Sequence, residues 1–159
     1  DEEARLDKDE ENLLESVFSL SEEWEFLSEF GKAASHLTHS FIFTGVRRGK
    51  TIFRTGFSEI INEPEFQSRE ELCHFGRLLD FLDNEIRTIS KQLSRTGEIV
   101  FIGDENPIKN ARAYSMAFLP WLHPDGFDGF LTLIGPKRTD YKKQKALTRN
   151  IYERRKRTQ

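Results

Sequence analysis

The chain has 159 residues, a formal net charge of −3, charged residues at 32% and a single cysteine. That length suits one ordinary domain, able to bury about two-thirds of its unfolded surface. One thiol excludes an internal disulfide and a multi-cysteine zinc site, and no apolar run approaches the ~20 residues that span a bilayer.

Fourteen Phe against one Met and two Trp point to an aromatic core. Charge is unevenly placed: residues 1–30 hold twelve acids and two bases, residues 137–159 ten bases and two acids. The plain reading is two solvated helix faces; the sharper one is a basic partner at one end and an acidic partner or nucleic acid at the other. The chain starts at Asp1 without Met, which suggests a fragment or processed chain with a domain upstream. The lone cysteine fits a cytoplasmic protein.

In chain order, residues 1–20 read as an acidic linker or frayed helix. Ser21 offers a cap and Glu22 and Glu23 suit the first turn of a helix; Phe26, Leu27, Phe30, Ala33, Ala34 and Leu37 recur at helical spacing, predicting a helix over 22–38. Residues 40–46 and 51–55 read as strands joined by the turn Arg47-Arg48-Gly49-Lys50. One or two helical turns follow from Phe57, ended by Pro64. Ser68 and Glu71 form a capping box before the clearest helix, with Leu72, Phe75, Leu78, Leu79, Leu82, Ile86, Ile89 and Leu93 on one face. Strands are predicted over 98–102, 113–119 and 129–134, the last two joined by the turn His123-Pro124-Asp125-Gly126. Thr139 or Asp140 caps a final helix. Hairpins and grouped helices suggest an α+β domain: an antiparallel sheet of about five strands with helices packed on it.

The chemistry-bearing residue types form no strong catalytic pattern. Cys73 and His74 are adjacent on a helix and point ~100° apart, out of nucleophile–base reach; Cys73 reads as a small packing residue. His36 and His39 read as helix-end histidines rather than metal ligands, with His74 and His123 distant in sequence. Asp80, Asp83 and Glu85 read as solvated surface. Arg154, Arg155, Lys156 and Arg157 invite weak, nonspecific contact with nucleic acid, although cations also suit a helix C-terminus.

Two segments share one form, a strand, a glycine, then polar groups and a proline: Ile102-Gly103-Asp104-Glu105-Asn106-Pro107 and Ile134-Gly135-Pro136-Lys137-Arg138-Thr139-Asp140-Tyr141. If the strands run the same way in one sheet, the turns meet at one edge. Arg138 then forks onto Asp104 or Glu105, and the candidate turn residues Gly103, Asp104, Glu105, Asn106, Gly135, Arg138, Asp140 and Tyr141 form a structural joint or a binding site.

These segments, together with Gly56-Phe57-Ser58-Glu59-Ile60-Ile61-Asn62-Glu63-Pro64-Glu65-Phe66, resemble the C-terminal region of the heat-inducible transcription repressor family, HrcA. The helix end Lys32-Ala33-Ala34-Ser35-His36-Leu37-Thr38 also looks like the family's entry to this domain, and the resemblance covers most of residues 26–153. It implies a GAF-like regulatory domain over 21–159, with no enzymatic residues and no cofactor. It implies, too, repression of chaperone genes by a bacterial dimer at an inverted-repeat operator, tuned by a GroEL-type chaperonin. Here the winged helix is missing, so operator DNA would be met through an upstream domain. Only a tight hairpin lies between Thr38 and Gly56, where longer members carry more strands and an inserted dimerisation segment, and Thr139 stands where Met is usual. The leading expectation is the regulatory and dimerisation domain of a repressor; the alternative is a small-molecule-sensing GAF-like module with a pocket between sheet and helices lined by Phe and Tyr.

Overall fold

Apolar residues on both sides of the strands decide the architecture. A computed structural model of the protein describes residues 4–93, 99–102, 113–137 and 141–158. The elements are α1 (Lys8–Phe18), α2 (Glu23–Thr38), β1 (Phe41–Val46), β2 (Ile52–Thr55), α3 (Phe57–Ile60), a 3₁₀ turn (Pro64–Phe66), α4 (Arg69–Leu93), β3 (Ile99–Ile102), β4 (Tyr114–Leu122), β5 (Asp128–Pro136) and α5 (Tyr141–Thr158). The five strands form one antiparallel sheet in the order β2-β1-β5-β4-β3, as an α+β domain should.

Successive strand residues face opposite sides of a sheet, and both sides are covered here. Ile42, Val46, Ala117, Leu119, Trp121, Leu131 and Leu133 join α1, α2 and α5 in one core. Phe41, Phe43, Tyr114, Met116, Phe118, Phe130 and Ile134 join α3, the 3₁₀ turn and α4 in a second. This explains why β1 is buried at all six positions and why the strand sequences read as unbroken apolar runs. On the second face the aromatic rings pack against one another. Phe66, Phe75 and Tyr114 lie 5.0–5.8 Å apart, centroid to centroid.

The helix over 23–38 and the first hairpin match the expectation within a residue or two. The strands predicted at 113–119 and 129–134 are longer, running to Leu122 and from Asp128 to Pro136. β4 runs on through Pro120, which pairs with Phe130 of β5.

Residues 8–18 are more than an acidic linker or frayed end. Asp7 caps the Glu10 amide at 2.9 Å and Glu10 reaches back to the Asp7 amide at 2.9 Å. Leu14, Val17 and Phe18, spaced i, i+3, i+4, enter the first core. Cys73 is exposed rather than packed. It stands two residues, or about 200° of helix, from Phe75, whose stripe with Leu78, Leu82 and Ile86 carries the burial.

Candidate functional site: two sheet ends and a charged helix pair

The two strands that lead into the polar turns share one sheet. Ser115 pairs with Ile102 on one side and Gly135 on the other. β3 and β5 therefore run in the same direction and end about 10 Å apart, two strand spacings. Pro136, opposite Tyr114, is the last ladder residue. Tyr141 donates its hydroxyl to the Lys137 carbonyl at 3.1 Å across the entry to α5. Gly103, Asp104, Glu105, Asn106, Arg138 and Asp140 lie outside the described residues, as does the cap expected at Thr139 or Asp140.

The basic run at 154–157 divides. Arg154 is 8% exposed. Its Nε donates to Asn150 Oδ1 at 2.7 Å, Nη2 lies 2.9 Å from Glu15 Oε1, and its guanidinium sits 4.7 Å over the Phe18 ring. Burial pushes this guanidinium below its ordinary pKa, and Glu15 pulls it back up. Lys143 donates to Glu10 at 2.6 Å and Arg5 lies 4.0 Å from Glu153. The acidic start and basic end of the chain thus pair with each other within one molecule. Lys156 and Arg157 remain exposed and Arg155 half-buried.

The histidines have defined partners. His36 and His39, at the end of α2, both turn Nδ1 to Glu59 of α3, at 3.4 and 3.0 Å. His39 occupies the left-handed C-cap position at φ 52°. His123 is buried, with Nε2 donating to the Leu20 carbonyl at 2.7 Å, Nδ1 accepting from the Asp125 amide at 3.0 Å, and its ring stacked on Phe127. These bonds assign its tautomer and make it a structural pin of the β4–β5 hairpin. His74 sits edge-on to the Tyr114 ring. Among the described residues no group of three or more His, Cys, Asp and Glu is placed to hold a metal ion, and no helix is long and apolar enough to cross a membrane.

At the opposite end of the sheet from Gly135 lies a cleft of about 460 Å³ that sequence reading did not anticipate. Its cations come from three separate elements: Arg47 from the first hairpin turn, Arg87 and Lys91 from α4, and Arg155 from α5. The floor is Pro120, Trp121, Gly129 and Phe130, and Ser90 adds a hydroxyl. Among the described residues Asp128 is the one carboxylate in the lining; it pairs with Arg47. Arg87 donates to the carbonyls of Val46 at 2.6 Å and Thr51 at 3.2 Å and lies over Phe130, and burial lowers its pKa. Arg87 and Lys91 are one helical turn apart, but Arg47 and Arg155 are distant from them in sequence, so only the folded sheet end brings the four together.

Fold and site together define an α+β domain with its sheet buried on both faces, its terminal helices cross-linked by charge, and a cationic cleft at one sheet end. The chain belongs to the family described as "HrcA protein C terminal domain", whose model matches residues 4–144. Curated relatives carry the name "Heat-inducible transcription repressor HrcA". The protein of Synechococcus sp. (strain CC9902) is 31% identical over 74% of this chain and 35% of its own length. That of Alkaliphilus metalliredigens is 30% identical over 74% of this chain and 36% of its own length, and that of Thermodesulfovibrio yellowstonii 28% over 58% and 26%. The chain thus spans about a quarter to a third of these relatives. A solved structure described as that of a hypothetical protein matches 92% of this chain and 40% of its own, with a TM-score of 0.53 and 14% identity; that likeness is one of fold alone.

Proposed function

We propose that this chain is the regulatory part of a heat-inducible transcription repressor of chaperone genes, and that contact with operator DNA comes from another part of the same repressor. The carrying observation is the family match over residues 4–144, together with curated relatives that are named as such repressors. The described chemistry supports it. His123, Arg154 and Arg87 have packing and hydrogen-bonding tasks, and we assign no catalytic step to them. A homodimer and a GroEL-type chaperonin are the partners this reading adds. For a second copy, the edge strand β2 is available, with Trp24 half-exposed beside Phe53.

The test is genetic. Deleting the gene that encodes the chain raises chaperone transcripts at ordinary growth temperature and flattens their rise on heat shock. Unchanged basal transcripts would overturn the repressor reading. A second reading, a small-molecule-sensing module, is favoured by one observation, the concave cationic cleft at the sheet end.

A further inference from the structure

We infer that the cleft between α4, α5 and the first hairpin turn binds a small phosphorylated anion carrying two or more negative charges. This inference rests on the ligand-sensing reading and is independent of the repressor assignment.

Charge makes the first part of the case. Among the described residues four cations line the cleft against one carboxylate, and Arg47 already pairs with that carboxylate. Arg87 is held from behind by backbone carbonyls, so its charge stays in place while most of its donors are engaged. Lys91 and Arg155 line the cleft from opposite helices, and among the described residues neither has an ion-pair partner. Three uncompensated positive charges around one concavity repel one another, and a single carboxylate leaves most of that repulsion in place. A phosphate monoester brings ~−2 and a diphosphate more, with oxygens that accept from lysine and arginine together.

Shape makes the second part. A volume of about 460 Å³ fits a small organic ligand. The cations sit around an apolar floor of Pro120 and Phe130, beside Trp121. An anionic group at the rim and a flat or apolar body on the floor match that division. Duplex DNA presents phosphates along an extended backbone and leaves such a floor unused.

Inorganic pyrophosphate is the probe, titrated calorimetrically into the intact chain at about physiological salt, where exposed charges are screened beyond ~8 Å. The expected result is saturable one-to-one binding. Replacing Lys91→Gln and Arg155→Gln together weakens it by about tenfold or more, as loss of two charge-assisted contacts requires. Lys50→Gln, a charge-matched change on the exposed hairpin turn, leaves it unchanged, and Lys91→Arg retains it. Citrate, a polycarboxylate, binds more weakly than pyrophosphate. Absence of saturable binding, equal affinity in the double variant, or citrate binding as tightly overturns the inference. So does competition by short duplex DNA that is lost in the same double variant, which would assign the surface to a nucleic-acid backbone. Because no step of the assay involves transcription, its failure leaves the repressor reading standing.

Discussion

Arg154 Nη2 lies 2.9 Å from Glu15 Oε1, tying the last helix of the chain to the first. Its guanidinium is buried over the Phe18 ring, and its Nε–H donates to Asn150 Oδ1. Glu15 is largely solvated, so removing the arginine strands no buried charge on α1. The loss is one of packing and charge-assisted hydrogen bonds. Arg154→Ala is therefore expected to lower unfolding stability by about 2 kcal/mol, and exposed Arg157→Ala by less than about 0.5. Urea denaturation of the two variants checks this. Equal midpoints would mean that the joint between α1 and α5 carries no stability.

Tyr114 is 2% exposed, and its hydroxyl has no hydrogen-bond partner among the described residues. A buried donor left unpaired costs about 1–3 kcal/mol. The ring is stacked on Phe66 and meets Phe75 edge-on, and Phe keeps both contacts. Tyr114→Phe is expected to raise stability by about 1 kcal/mol. Burial, reinforced by Glu71, pushes the phenol up to about 12 from its ordinary 10.0. A raised folded pKa favours the protonated folded form. The parent's stability from this group is thus complete below pH 10.0 and is lost as pH rises towards about 12. The advantage of the Phe variant widens over that window. A constant difference from neutral pH to pH 12 would contradict the assignment.

What could be read from the sequence follows the range of each signal. The capping serine of α4 was legible because its partner is local: Ser68 Oγ accepts from the Glu71 amide at 3.1 Å. The common direction of β3 and β5 was legible as a condition and depends on β4 lying between them. Residues 8–18 were misread because acidic composition masked a three-residue apolar stripe whose burial requires α2 as a partner. The cleft was invisible because only Arg87 and Lys91 are neighbours on one helix, and Arg47 and Arg155 join them through the fold alone. The acidic and basic termini were read as solvated faces or as sites for separate partners, and their pairing with each other within one molecule was missed. Lys143 to Glu10 and Arg154 to Glu15 close it within the chain.

Gly129 and Gly76 should respond to alanine with opposite signs. Gly129 faces Val46 across the β1–β5 ladder, beneath the Trp121 indole. A Cβ there would lie 1.9 Å from the Gly45 carbonyl oxygen and 2.5 Å from Trp121 Cζ2. The nearest obstacle is backbone, held in the strand centre, and cannot turn aside. The indole is also fixed, because its Nε1 donates to the Phe130 carbonyl at 2.9 Å and lies 3.1 Å from Thr44 Oγ1. Overpacking of this kind costs about 3 kcal/mol. Gly76 stands inside α4, and a Cβ built there meets nothing within 4 Å. Glycine in a helix interior is less stable than alanine by about 0.5–1 kcal/mol. Gly129→Ala is therefore expected to lower the melting temperature sharply and Gly76→Ala to raise it modestly. Thermal unfolding followed by circular dichroism reads both. If Gly129→Ala melts with the parent, the close approach of β1, β5 and Trp121 at this end of the sheet is not the packing that holds the cleft floor.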